Sequence, residues 1–476
     1  MEVRAESTMQ QVHNILASVK TNLVSVGFTT DLWTSRAQDA YMSLTCSFID
    51  KNWRLHRYTP FVKHFPGSHT GERIALELDE MIDELGLSSP NITEYSENYN
   101  ASNQKKAIRE SVYLTEYNCD LHTLQLQIND TFKDVDGMKH VLSKSKLIAK
   151  FTNQSPQAME QLKKECKKRK IAFKKPKNSQ ETRWNSAYTC MESILYLKPV
   201  LKDLMEVDDK WLEFSLNFRE WKLLEGAVKL LKPFLVATKT LEAESTPTIN
   251  LVIEEIFGLK TGLESFIAKP QNCQYGVTFA RSLLKNLEKR FPSCGAQRFE
   301  RSAANYLDPC LKGVHLGKLN MLDSTKDELD VKYSVPDDVE EQETGEEVNL
   351  ELSPTSRLLK QARLKKNDHS TSKLKSEMEK HESYSFAPRK SNILYWWKIN
   401  ESMFPRLAKI VRTILAIPSS SAKSERVFST GGNIVTAKRC RLGPRRVEQL
   451  IVIRENLARI KEFEILSGRD ITVQPL

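Results

Sequence analysis

No run of about 18 apolar residues occurs anywhere in the 476-residue chain, which excludes a helix that crosses a bilayer. The opening stretch, MEVRAESTMQQVHNILASVK, has neither the short apolar core nor the small-residue cleavage site of a signal peptide. The eight cysteines (Cys46, Cys119, Cys166, Cys190, Cys273, Cys294, Cys310 and Cys440) are scattered, with no Cys-x-x-Cys pair. That excludes a zinc finger, which needs four ligands at set spacings. It also argues against a disulfide framework in a long intracellular chain. No internal repeat is visible. The expectation is a soluble protein that stays inside the cell, away from membranes.

What is present is enough apolar residue, 40%, to bury a large core, and 28% charge. The length suggests two to four domains or subdomains. The net charge of +10 and pI near 9.0 favour polyanions such as nucleic acid, although most basic proteins bind no specific DNA. The densest basic stretch is KKECKKRKIAFKKPK at 163–177. A solvated face is the commoner fate of such a run; nuclear import or phosphate binding is the alternative.

The first segment reads as strands. Val24, Val26 and Phe28 alternate with Ser25, Gly27 and Thr29, a period of two. Residues 41–49 and 53–65 repeat the pattern around the turn Asp50-Lys51-Asn52, as an antiparallel hairpin would. An amphipathic helix over 69–85, a short strand over 92–99, a helix near 102–113 and a last strand around His122 to Ile128 complete the order of a mixed α/β sheet. From about residue 131 the pattern turns helical. Leu223, Leu224, Ala227, Leu230, Leu231 and Phe234 recur at helical spacing. Residues 322–385 include DDVEEQETGEE and are too polar to offset the entropy of ordering, so a disordered linker is expected there. A compact block follows, with helices starting at Pro405 and Pro444.

That block carries a resemblance. ILYWWKIN at 393–400, FPRLAKIVRTILAIPSSSAKSERVFSTGG at 404–432 and KRCRLGPRRVEQLIVIREN at 438–456 resemble the dimerisation region that closes transposases of the hAT superfamily. TTDLWTS at 29–35, YNASN at 99–103, CDLHTLQL at 119–126, ETRWNS at 181–186 and YLDPCLK at 306–312 agree in order. The likeness runs over about residues 24–456. It implies an RNase H-like mixed α/β core interrupted by a large all-α insertion and closed by C-terminal dimerisation helices. The expected divisions are 1–130 for the first part of the core, 131–321 for the insertion, 322–385 for the linker and 386–463 for the dimerisation region with the rest of the core. The family commonly carries an N-terminal BED-type zinc finger. Here the chain starts about 30 residues before the first core motif, and the finger is expected to be absent.

The resemblance also implies chemistry. The family cleaves DNA with two divalent metal ions held by two Asp and one Glu. Carried over position by position, Asp31 is the first ligand and Glu425 the last. The second falls in a motif that reads Tyr99-Asn100-Ala101-Ser102-Asn103 here. A phenol is neutral near pH 7 and a poor ligand for Mg²⁺ or Mn²⁺. Cys119 and His122 are implied to support the site from beside it. Arg183 and Trp184 occupy the position where the family stacks a flipped base. Arg439 and Arg441 belong to a cluster that could contact phosphates. Trp396, Trp397, Leu407, Val411, Ile414 and Phe428 are suited either to a subunit interface or to the core of one chain.

The expectation is therefore a transposon-derived nuclear protein, related to BED-finger cellular proteins, that forms a homodimer and has lost catalysis. Its DNA binding would be weak and nonspecific, with no cofactor and no small-molecule substrate. The rivals are a working transposase that uses Mg²⁺ or Mn²⁺, and a gene product with no selected role.

Overall fold

The computed structural model describes residues 2–20, 25–87, 93–98, 102–179, 183–333, 373–436 and 442–466. Five strands form one sheet in the order β3-β2-β1-β4-β5. They are β1 (Ser25–Thr34), β2 (Ala40–Ile49), β3 (Leu55–His64), β4 (Thr93–Asn98) and β5 (Thr115–Asn118). The first three run antiparallel; β4 lies parallel to β1, and β5 parallel to β4. This is the mixed α/β sheet that the alternation predicts, with one correction. The last strand is Thr115–Asn118, and the apolar stretch around His122 to Ile128 is helix Asp120–Asp134. Leu124, Ile128 and Phe132 recur every fourth residue and are buried there, a helical period rather than a strand's.

The hairpin turn is held by one carboxylate. Asp50 Oδ1 accepts from the backbone N–H of Asn52 and Arg54, both at 2.9 Å. This lets Trp53 take a left-handed φ of 64°. Its indole N–H donates to Glu401 at 2.9 Å, and its ring stacks on Trp397 with 6.3 Å between centroids. The free edge of the sheet is closed by a side chain. Fully buried Asn456, from helix Pro444–Leu466, accepts from Thr59 N–H and donates to Thr59 C=O, each at 2.8 Å. An amide thus takes the place of a sixth strand, beside Pro60, which has no N–H to pair.

Four cores organise the rest, the smallest packing Tyr41 and Val62 of the sheet against Phe428, Val447 and Ile451. Below the sheet, Val26 and Phe28 pack with Ile74, Leu78, Met81 and Ile82 of helix Gly71–Glu84 and with helix Glu2–Lys20. A second core is wholly helical and runs from Leu124 to Cys294. The third joins Ile249 to Leu329 with Leu374 to Ile417 and with Ile49, Trp53 and Tyr117 of the sheet region. The expected insertion, 131–321, is thus shared between two cores. The expected linker, 322–385, is corrected at both ends. Leu322–Tyr333 and Lys373–Ser383 are helices, because Leu329, Leu374 and Met378 find buried places in the third core. Its middle, 334–372, lies outside the described residues.

His381 sits at the centre of that third core, fully buried. It stacks on Trp397 at 5.6 Å and meets Tyr306, Trp396 and Phe404 edge-on. Lys312 Nζ donates to the carbonyls of His381 and Tyr384, fastening the helix end beside the rings. Burial, reinforced by the Lys312 charge, pushes the imidazole down to about 3. The folded state therefore holds it neutral, while the unfolded chain takes up a proton below about pH 6.5. Stability from this site is complete above that pH and is lost as pH falls towards 3. Between pH 7 and pH 5 the wild type should lose roughly 2 kcal/mol more than a His381→Phe variant. Urea unfolding at both pH values checks this; equal losses in the two proteins would refute it.

Candidate functional site

One face of β1 organises the site. Residues 27, 29, 31 and 33 share that face because side chains alternate along a strand. Each meets a partner near residue 420. At Gly27 the chain crosses so closely that an added Cβ would lie 2.7 Å from the carbonyl oxygen of Ala416 and from Pro418 Cδ. Thr29 Oγ1 and Ser424 Oγ share a hydrogen bond of 2.6 Å. Trp33 stacks on Tyr41 at 5.4 Å and on Phe428 at 5.7 Å, and a Cβ at Gly431 would lie 2.9 Å from its ring. Between Thr29 and Trp33 stands Asp31, half-buried, its Oδ1 accepting from Leu32 N–H at 2.8 Å.

Helix Ala422–Ile434 therefore brings Glu425 to Asp31, in the first turn where a carboxylate suits the helix dipole. The Asp31 carboxyl is pushed up to about 7, foremost by burial and further by the Glu425 charge, against the lowering bond from Leu32. Glu425 is ion-paired: Arg183 Nη2 lies 2.5 Å from its Oε2. Arg183 caps helix Trp184–Tyr196, so its guanidinium is held at the mouth of a cleft of about 140 Å³ lined by His122, Gln125, Arg183, Trp184, Glu242 and Glu425.

Cys119 and His122 stand beside this cleft. Cys119 Sγ caps helix Asp120–Asp134 by accepting from His122 N–H at 3.4 Å, and it also accepts from Ser421 Oγ at 3.2 Å. Asp120 N–H donates to Ser419 C=O at 3.0 Å. Burial lowers the His122 imidazole, with the charges of Arg290 and Lys105 adding to the effect. The thiol is thus a joint between the helix and the Ser419-Ser420-Ser421 run.

Other expected residues fall elsewhere. Trp184 is only 4% exposed, its backbone N–H bonded to Gln125 Oε1 at 2.9 Å and its ring edge-on to Tyr188. As placed, it fills the helical core and has no open face for a base. Of the residues suited to an interface, Trp397, Leu407, Val411 and Ile414 are buried in the third core, and Phe428 packs with Trp33 and Val447. Trp396 alone is partly buried. Of the two places these residues suit, they fill the core of their own chain. Tyr99, Arg439 and Arg441 lie outside the described residues.

Sequence reasoning missed Glu242. Burial raises its carboxyl, with Glu425 adding and Arg426 opposing. Arg426 also pairs with Glu244, as does Arg459. The stretch Glu242-Ala243-Glu244 follows a long helix and carries no motif, so only the fold reveals it. Among the described residues, no three His, Cys, Asp or Glu side chains are grouped to hold a metal ion.

Known families match three stretches of this sequence. Residues 29–123 match the ZBED1 RNase-like domain, 117–230 the ZBED1 RNase-like helical domain, and 371–457 the hAT family C-terminal dimerisation region. A putative AC transposase of Zea mays is 26% identical over 481 residues, covering 90% of this chain and 56% of the relative. The zinc finger BED domain-containing protein RICESLEEPER 2 of Oryza sativa subsp. japonica is 24% identical, covering 94% of this chain and 67% of the relative. DAYSLEEPER of Arabidopsis thaliana, another zinc finger BED domain-containing protein, is 23% identical, covering 90% and 63%. The chain therefore spans between 56% and 67% of the length of these relatives.

The crossing at Gly27 can be tested directly. Gly27→Ala forces a methyl against the backbone at residue 416 and should destabilise the protein by about 1–3 kcal/mol, the usual cost of overpacking. An unchanged thermal midpoint would mean that the C-terminal segment does not rest on β1.

Proposed function

We propose that the chain, with its hAT family C-terminal dimerisation region and ZBED1 RNase-like domains, acts as a dimerising, transposon-derived nuclear protein that no longer cleaves DNA. One observation carries this reading: the acid set that would hold two metals is broken. Asp31 and Glu425 stand together, but the sequence has Tyr99 where the second Asp belongs. A divalent cation needs several anionic oxygens. Glu425 already shares its charge with Arg183, and burial favours the neutral form of Asp31. The residues present do not fit a pair of divalent ions, and no catalytic step is derived through them. Any association with DNA then runs through the basic surface, without sequence preference and strongly weakened by salt.

A second reading, a working transposase with an altered metal site, draws on Glu242, which lines the same cleft as Glu425. Nicking assays separate the two. Supercoiled plasmid incubated with the purified chain and Mg²⁺ or Mn²⁺ should stay supercoiled. Metal-dependent nicking that disappears in Glu425→Gln would overturn the first reading in favour of the second.

Self-association needs a surface, and the residues first suited to it are buried. Helix Ile393–Asn400, within the dimerisation region, turns other residues outward: Tyr395 is 63% and Ile399 60% exposed. They are four apart, hence neighbours on one helix face. An exposed apolar pair suits a second copy of this chain. Nothing points to a lipid partner: among the described residues, no helix is long and apolar enough to cross a membrane. Light scattering should give twice the 54.7 kDa chain mass for the wild type and the single mass for Tyr395→Lys/Ile399→Lys. A wild type that stays monomeric across micromolar concentrations would refute the dimer. A dimeric double variant would place the interface elsewhere.

A further inference from the structure

A second cleft, of about 510 Å³, adjoins the acid site. Both are lined by helix Asp120–Asp134: the acid cleft by His122, Gln125 and Asn129, the second by Thr123 on the adjacent stripe, and both by Leu126. Their electrostatics are opposite. Lys105, Lys289, Arg290, Arg298 and Arg301 line the second cleft, and among the described residues no carboxylate does. Two of these cations are already balanced. Arg301 pairs with fully buried Asp120, and Arg290 pairs with Asp130 at 2.6 Å. Lys105 and Lys289 have no acidic partner among the described residues.

A bland account covers only part of this. Lys289 and Arg290 end helix Gln274–Arg290, where cations suit the helix dipole. The dipole explains neither Lys105, from helix Ser102–Glu110, nor Arg298. The loop between Arg290 and Arg298 is also forced. Ser293, Cys294 and Gly295 take left-handed φ values of 48°, 55° and 85° in succession. For the two non-glycines this is strained backbone, and such strain clusters at binding sites. Here it folds the chain back so that cations from before and after the loop line one cavity.

We propose that this cleft binds the phosphate groups of a DNA backbone and leads the strand across Leu126 to the pocket of Arg183 and Glu425. Among the described residues no aromatic side chain lines it, so it suits phosphates rather than a stacked base. The inference rests on the reading of the chain as DNA-associating, and it names where that association occurs.

The test measures binding of the full chain to a fluorescent single strand of about 20 nucleotides and to the matching duplex, between about 50 and 200 mM salt. Lys105→Ala/Lys289→Ala removes the two unbalanced cations. Lys202→Ala/Lys210→Ala removes two exposed cations that lie outside the basic run at 163–177 as a control. The cleft variant should bind about tenfold more weakly, and its salt dependence should be shallower by about two counter-ions. The control should match the wild type, and thermal midpoints should be equal throughout. Undiminished binding by the cleft variant would overturn the cleft while leaving the DNA reading in place. Equal losses in both variants would also overturn it, since the charge would then act diffusely. A wild type that binds neither probe would sink the DNA reading as well. Inorganic pyrophosphate should compete only weakly; tight pyrophosphate binding without oligonucleotide binding would assign the cleft to a free phosphate instead.

Discussion

The contact on which the rest depends is the seating of residues 416–431 along one face of β1. Four alternate positions of that strand carry four kinds of contact: a bare backbone at Gly27, a hydroxyl pair at Thr29, a charge at Asp31 and an aromatic stack at Trp33. Each limits what the others can do. The close crossing at Gly27 sets the height of the Pro418 segment above the sheet, and the Thr29–Ser424 bond sets its position along the strand. With both fixed, Glu425 has no choice but to face Asp31. The buried cysteine cap and the serine run at 419–421 then tie the helical region to the same point.

The electrostatic pattern around this junction is unusual in its order. Helix Asp120–Asp134 separates a cleft containing Glu242 and Glu425 from one whose charged lining, among the described residues, is all cationic. Acids that would repel a polyanion are each countered by an arginine: Glu425 by Arg183, Glu244 by Arg426 and Arg459. In a half-buried setting such pairs cost desolvation and return it only when both partners stay in place. The result is a site whose charges are largely satisfied internally, beside one where Lys105 and Lys289 have no acidic partner among the described residues.

Much of the sheet was legible because alternation is a local signal. The strands around residues 24–65 and the helix at 69–85 follow from it directly. The strand misplaced onto His122 to Ile128 fails for a physical reason: a short apolar run suits either period, and the cap at Cys119 that decides for helix is a weak sulfur acceptor. The ends of the expected linker were misread because Leu329, Leu374 and Met378 are few among many charges, and only tertiary burial rewards them. Asp31 and Glu425 were legible through the family motifs. Glu242 and Asn456 were not, since their roles arise from partners far along the chain. The interface residues were read with the correct chemistry, apolar and aromatic, but apolarity alone cannot distinguish a chain's own core from another's.

The joining of distant segments also bears on how the protein is made. Thr29 and Ser424 are 395 positions apart, and Thr59 and Asn456 are 397. Synthesis at about 5–20 residues per second leaves the upper face of β1 and the edge of β3 uncovered for roughly 20–80 s. During that interval the sheet offers an unpaired strand edge and an apolar groove to any neighbouring nascent chain. The arrival of helix Pro444–Leu466 therefore ends a period of exposure, and a ribosome stalled before residue 416 would release a product prone to aggregate.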